Sequence, residues 1–375
     1  MTVDTLPPPV CVDKQNTYER MVADLAAQPR ISVDTESNSL HAYRVIVCLI
    51  QFSTPNKDYL LDPLALTDLR SLGPIFSDPK IEKIFHAAEY DLICLQRDFG
   101  FKFSNLFDTM QASRILGYQY VGLDRILSEK FDVKVDKRHQ KANWGARPLT
   151  PAQLDYARRD THYLFALRDL LEQELREQER WDIARDDFRL ACQVDVPKEK
   201  MNGSSWKRFN FRKDVSHREL TILSELCVCR DAIAEKMDRP SFKVIDDNML
   251  LDIARNLPEK DVDLAGIGLS PKQIRLWGGE ILAAVRRGAD TPLVKREQPE
   301  RPNDAMLRRL DKLKNWRKKV AGEMKVESDI VLPKFYLNEL AESPPKTMDE
   351  LQSMMHESPH RFERFGDQIY HLIGG

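Results

Sequence analysis

Four carboxylates and one phenol in the first 160 residues could do chemistry together. Asp34 and Glu36 stand two apart in Ile31-Ser-Val-Asp-Thr-Glu36. Asp91 closes His86-Ala-Ala-Glu-Tyr-Asp91, and Tyr156 and Asp160 bound Tyr156-Ala-Arg-Arg-Asp160. Each acid borders apolar sequence. A buried acid needs a cation or a proton, because an unpaired buried ion is strongly disfavoured. If the segments converge, a pair of divalent metal ions compensates them, as two-metal phosphodiester chemistry requires.

The spacings suit that reading, and each also has a plainer one. Asp34 and Glu36 on a strand leave the same face, while Ile31 and Val33 anchor the other; solvated acids on an edge strand share the pattern. Asp91 falls in the first turns of a helix with Leu92, Leu95 and Phe99 on its apolar side, where the helix dipole favours an acid anyway. Asp108, before Thr109, reads as an N-cap and not as a ligand. Tyr156 and Asp160 share a helix face. A phenol there could aim a water at phosphorus, or it could be a surface tyrosine. Arg158 and Arg159 fall on other faces, to meet phosphates or only to solvate.

The elements that must position these residues alternate in type. Segments 31–36, 45–52, 58–61 and 81–85 are predicted strands. Val45-Ile-Val-Cys-Leu-Ile50 is a continuous apolar run, as expected of a strand covered on both faces. Segments 18–27, 88–99, 109–116, 123–131 and 151–173 are predicted helices, the last with a Thr150 N-cap and Pro151 at its first position. Strands with flanking helices imply an α/β layer domain. Beyond Asp214 only amphipathic helical segments appear.

At 375 residues and 42% apolar content, the chain is long enough for two or three domains. A net charge of −2 gives no overall pull toward nucleic acid, so such affinity must come from local patches. The six cysteines show no metal-ligand spacing. Cys48, Cys94 and the Cys227-Val-Cys229 pair read as small core residues. No signal-peptide pattern and no membrane-length apolar run is present. These features predict a reduced, cytoplasmic protein.

The second half repeats itself. Arg230-Asp-Ala-Ile-Ala234 aligns with Arg317-Lys-Lys-Val-Ala321, and Met237 with Met324. Without a gap, Val244-Ile245 meets Val331-Leu332, Leu250 meets Leu337 and Pro258 meets Pro345. After a one-residue slip, Trp277-Gly278 and Ile281 meet Phe365-Gly366 and Ile369. The pattern predicts two copies of one helical domain.

Taken in order, the motifs D-x-E, H-A-x-x-x-D and Y-x-x-x-D resemble the tyrosine-bearing branch of the DEDD 3′→5′ exonucleases. The strand ending Leu49-Ile-Gln51 and the Asp136-Lys137 stretch ahead of Trp144 are similar to that family as well. The repeats resemble the HRDC domain shared by RecQ-type helicases and ribonuclease D. The whole layout is that of the ribonuclease D family. It implies a ribonuclease H-like mixed sheet flanked by helices, in an α/β exonuclease domain over 1–196. A linker at 197–214, an all-α HRDC-like bundle at 215–290, a second linker at 291–303 and a second bundle at 304–375 would follow. The resemblance further implies that Asp34, Glu36, Asp91 and Asp160 hold two Mg²⁺ or Mn²⁺ ions. Glu36 would also lie near the terminal 3′ hydroxyl, and Tyr156 would orient the attacking water. His86 could line the site, though a histidine satisfied by the backbone is the plainer expectation. Many members place a bulky aromatic directly after the first-motif glutamate; this chain has Ser37.

Three patches could meet phosphates. One is the loop holding Lys134, Lys137, Arg138 and Lys141. The second is the run Trp206-Lys-Arg-Phe-Asn-Phe-Arg-Lys213, with Trp206, Lys207, Arg208 and Arg212 as candidate contacts. The third is Leu307–Lys319, with Arg308, Arg309, Lys312, Lys314, Arg317, Lys318 and Lys319. The expected partner is RNA, with tRNA precursors and other small structured RNAs implied by the family; no protein partner is legible. Two competing readings are a DNA exonuclease of the same fold and a non-catalytic RNA-binding scaffold.

Overall fold

The computed structural model describes residues 6–196, 204–209, 212–294 and 303–373. The chain forms two units. One comprises Met1–Ser37, Val47–Val196 and Arg301–Gly375; the other comprises Asn38–Ile46 and Pro197–Glu300. Of the expected linkers, residues 197–203, 210–211 and 295–302 lie outside the described residues.

The first unit begins with β1 (Val10–Val12), α1 (Gln15–Ala26), β2 (Arg30–Ser37), β3 (Val47–Ser53), β4 (Asp58–Leu61) and α2 (Leu72–Ser77). It continues with β5 (Glu82–Phe85), α3 (Glu89–Phe99), β6 (Leu106–Asp108), α4 (Thr109–Leu116) and α5 (Leu123–Phe131). After a 3-10 turn at Lys137–His139 come α6 (Pro151–His162), α7 (Leu164–Glu177) and α8 (Trp181–Ala191). The six strands lie in the order β1-β4-β3-β2-β5-β6. β3 runs antiparallel to β2 and β4, and the other pairs are parallel. This is the mixed sheet with flanking helices that the motifs imply.

The continuous apolar run does form a strand buried along its length, but β3 starts at Val47 and not Val45. Residues 38–46 leave the sheet and cluster with the second unit. The predicted helix over 151–173 is two helices, α6 and α7, meeting at Tyr163. Thr150 caps α6 as expected, in a capping box with Gln153. β1 and β6, three residues each, have no counterpart in the sequence reading.

The repeat is visible element by element. The first copy has α9 (His217–Lys236), α10 (Ser241–Val244), α11 (Asp247–Asn256), α12 (Asp261–Ile267) and α13 (Pro271–Asp290). The second has α14 (Asp304–Met324), α15 (Ser328–Val331), α16 (Lys334–Glu342), α17 (Met348–Met354) and α18 (Pro359–Ile373). Arg230 Nη1 donates to the Ile245 carbonyl at 3.3 Å, and its counterpart Arg317 donates to the Leu332 carbonyl at 2.9 Å. One arginine, buried in the first copy and half-buried in the second, thus closes the same helix turn in both.

The copies differ in what their apolar faces cover. In the second unit Leu220, Leu223, Ile233, Leu250, Ile253 and Ile281 form a core of their own, with Cys227 and Cys229 inside it. At Gly288 an added Cβ would lie 2.6 Å from Ile222 Cα, so only glycine lets α13 approach α9 this closely. In the first unit the second copy shares one core with the sheet layer: Leu313, Val331, Leu340 and Phe365 belong to the cluster that holds Ile31, Ile50 and Phe85. Polar contacts reinforce that junction. Arg361, fully buried, forms a bidentate pair with Asp187 at 2.6 and 2.9 Å. Arg114 meets Glu327 at 2.6 Å and Asp329 at 2.7 Å. Gly117, with φ +81°, ends α4 where a Cβ would stand 2.3 Å from the Lys325 carbonyl oxygen.

Candidate active site

β2 and α6 supply most of the site. Asp34 and Glu36 pair across β3 with Gln51 and Leu49, so all four project from one face. α6 packs on that face. Its C-terminal turn is fastened there by Thr161. The Thr161 carbonyl accepts from Ser32 Oγ at 2.9 Å, and its hydroxyl lies 2.8 Å from Ser53 Oγ. Because Thr161 follows Asp160 directly, this clasp sets Asp160 opposite β2. The carboxylate oxygens of Asp34, Glu36 and Asp160 lie within 4.8 Å of one another.

Asp91 enters from the first turn of α3 and is buried. It accepts a hydrogen bond from Thr35 Oγ1, the residue between the two β2 acids. The turn before α3 is strained: Ala87 has φ +63°. Asp108 holds it, accepting from Ala87 N at 3.0 Å and Ala88 N at 2.8 Å while also capping α4 through Met110 N and Gln111 N. Asp108 is therefore the expected N-cap, with a second task the sequence did not reveal.

Tyr156 stands one helical turn before Asp160 and hydrogen-bonds to it. Its ring lies 6.0 Å from both Trp144 and His139. Trp144 is buried with Leu49, Leu60 and Ala157 beneath the tyrosine. Gln51, Thr35, Trp144 and Thr161 thus surround the predicted five. Only Gln51 and Trp144 had a signal in the sequence, as neighbours of the motifs.

The electrostatics are those of an anion cluster short of cations. Burial pushes Asp34 up to about 7. Burial, then repulsion from Asp34, Asp160 and Asp91, pushes Glu36 up to about 10. Asp91 and Asp160 are also raised, by burial first and by Asp34 second. None of the four forms an ion pair with a described Lys or Arg. Hard oxygen donors converging without basic partners fit a divalent cation of the Mg²⁺ or Mn²⁺ type. His86 is not a ligand here. Its Nδ1 lies 2.9 Å from Thr109 Oγ1, and burial lowers its pKa. Arg158 and Arg159 both pair with Asp155, so they are structural.

Residues 9–176 match the 3′-5′ exonuclease family, and residues 219–285 and 306–373 each match the HRDC domain. The chain therefore carries a 3′-5′ exonuclease domain and two HRDC domains, in that order. Exosome complex component 10 homolog of Caenorhabditis elegans is 31% identical over 296 residues, 77% of this chain and 33% of that protein. Protein RRP6-like 1 of Arabidopsis thaliana is 34% identical over 261 residues, 66% of this chain and 41% of that protein. The chain thus spans 33% and 41% of the length of these relatives. The RRP6 catalytic core of Trypanosoma brucei superposes with a TM-score of 0.66 at 28% identity, covering 78% of this chain and 82% of that one. Escherichia coli RNase D shares the fold, with a TM-score of 0.70 at 24% identity over 96% of this chain and all of that one.

The expected RNA contacts are mostly paired with nearby acids. Lys137 pairs with Asp124 at 2.8 Å and Arg138 with Asp136 at 2.5 Å. Arg208 pairs with Asp247, and Arg212 with Asp214 at 3.0 Å. Trp206 packs on the core of the second unit, which removes much of its stacking face. Lys207 is exposed, and Lys141 is exposed beside the 3-10 turn. Ser37 sits where the β2–β3 register shifts, just past Glu36. No described helix is long and apolar enough to cross a membrane.

Proposed function

We propose that the chain is a metal-dependent 3′→5′ exoribonuclease that trims tRNA precursors and other small structured RNAs, releasing nucleoside 5′-monophosphates. The convergence of Asp34, Glu36 and Asp160 within 4.8 Å, with Asp91 and Tyr156 beside them, carries this reading. Two Mg²⁺ or Mn²⁺ ions held by Asp34, Glu36, Asp91 and Asp160 would activate the water and stabilise the leaving 3′ oxygen. The protein's own residues supply position. Burial and the neighbouring carboxylates raise the Tyr156 pKa, so the phenol keeps its proton and can hydrogen-bond the attacking water. Trp144 and the Thr161 clasp hold that hydroxyl and Asp160 in register. Glu36, beside Asp34 and Asp160 on the same face, would also lie near the terminal 3′ hydroxyl. Water attacks phosphorus, the P–O3′ bond breaks, and the freed 3′ oxygen takes a proton. Six cysteines without a disulfide among the described residues support a reducing compartment, the cytoplasm.

The deciding experiment compares a 3′-extended tRNA with a matched DNA, with and without Mg²⁺ or Mn²⁺, for the wild type and Asp34→Ala. Metal-dependent shortening of RNA from its 3′ end, absent in the variant, is the expected result. Shortening of DNA alone would move the chain to the DNA exonucleases. RNA binding without shortening would make it a scaffold.

A further inference from the structure

Seven basic residues lie between Leu307 and Lys319. The structure separates them into two kinds. Arg309 Nε donates to the Ala341 carbonyl at 2.8 Å, and Arg317 closes on Leu332, so both serve the bundle. Arg308, Lys312, Lys314, Lys318 and Lys319 are exposed on the side of α14 opposite buried Leu313, Val320 and Ala321. Among the described residues, the first four make no ion pair, and Lys319 only approaches Glu323 at 3.9 Å. Asp311 is the one acid in this stretch. From Arg308 to Lys319 these basic residues cover about 16 Å of the helix in two strips, Arg308 with Lys312 and Lys319, and Lys314 with Lys318.

The first repeat lacks this row. Its aligned positions are Thr221, Glu225, Cys227, Asp231 and Ala232, of which Thr221, Cys227 and Asp231 are buried. Two copies of one fold therefore differ by a whole line of charge. The predicted contacts elsewhere are largely paired with acids, whereas among the described residues Arg308, Lys312, Lys314 and Lys318 form no ion pair and Lys319 only a long one. Exposed basic groups in such excess over acids on one side of a helix match the sign of a phosphate backbone, whose counterions they displace.

We propose that the outer face of α14 is the docking surface for the RNA backbone away from the 3′ end, and that the second HRDC copy, not the first, carries it. The partner class, RNA, rests on the exoribonuclease reading. α14 shares a core with the sheet that bears Asp34 and Glu36, so RNA held there is held at a fixed distance from the carboxylates.

The test uses the full chain with Lys312, Lys314 and Lys318 all changed to Gln, and a second variant with all three changed to Arg. The probes are a 3′-extended tRNA and a tetranucleotide. Binding of the tRNA is measured in EDTA over a KCl series, and trimming of both probes is measured with Mg²⁺. In the Gln variant, tRNA affinity should fall at least ~10-fold at low salt. The slope of log K against log salt should shrink by about 2, for three lost phosphate contacts. KM on tRNA should rise with kcat unchanged, tetranucleotide trimming should hold, and the Arg variant should recover. An unchanged slope and affinity overturn the proposal, and point to an acidic protein as the occupant of α14. Equal loss on the tetranucleotide also overturns it, since the row would then act at the reaction centre. If the wild type trims neither probe, the exoribonuclease reading fails while the EDTA binding series still decides the docking surface.

Discussion

Asp34 acts electrostatically on Glu36, Asp91 and Asp160, and after burial that charge is the next cause holding each pKa above its ordinary value. The sign of the linkage follows. Asp34 and Glu36 titrate at about 7 and about 10 in the folded protein, against 3.8 and 4.5 for the free side chains. Below pH 4 they cost the metal-free fold nothing. From about pH 4 upward the unfolded chain releases these protons while the fold retains them, so stability falls until pH passes the folded values of about 7 and about 10. Thermal melting in EDTA should therefore give a lower Tm at pH 8 than at pH 5, and added Mg²⁺ or Mn²⁺ should raise Tm more at pH 8. Asp34→Asn should raise the EDTA Tm at pH 8 while abolishing hydrolysis, as expected where function is bought with stability. A wild-type Tm in EDTA that is flat across this range would refute the account. Tyr156→Phe removes only the hydroxyl. It should lower kcat about 100-fold, as for loss of one positioned proton donor, and leave the metal-induced rise in Tm intact.

Among the elements, the turn between β5 and α3 and the end of α4 concentrate the constraints. Gly117→Ala would place a Cβ against the Lys325 carbonyl at a left-handed φ. The expected loss is roughly 2–5 kcal/mol from strain and overlap together, to be read from urea denaturation; a change under about 0.5 kcal/mol, the size of an ordinary surface substitution, would mean the junction yields. The longer elements were legible because their signals are local: the apolar run of β3, the Thr150-Pro151 start of α6, the period of α3. β1 and β6 were not, since three residues cannot display a period. The break at Tyr163 lacks a Gly or Pro to announce it. Of the site, strand and helix periodicity put Asp34 with Glu36 and Tyr156 with Asp160 on shared faces, and the order of the three motifs, through its resemblance to the exonucleases, joined Asp91 to them. Thr35, Asp108 and Thr161 could not, because their tasks depend on pairings across the sheet. The sharing of a core by the second repeat was hidden for a similar reason: α9 and α14 carry like apolar positions, and nothing local says which surface they cover.

At the scale of the molecule, all five site residues precede residue 197, yet their unit is completed by Arg301–Gly375. A chain ending at residue 300 would expose the core face lined by Ile115 and Phe188 and leave Asp187 without Arg361. Losing that buried partner alone is expected to cost about 3–5 kcal/mol. The shortened chain should therefore be far more sensitive to protease, and less active, than the full one, even on a tetranucleotide. Full activity from the shortened chain would show the second copy to be an accessory. By contrast, Phe209, Leu220 and Ile281 belong to a separate core, so calorimetry should resolve two unfolding transitions.

The contact of Gly117 with Lys325 also bears on ancestry. A duplicated domain can ordinarily be discarded again, because the original does its work. Once a Cβ was absent at the end of α4 and an arginine had settled on Asp187, the second copy had become part of what its neighbour needs in order to fold. Deleting it then removes the host together with the guest. The duplication is a ratchet: the copy that merged with the sheet must be inherited with it.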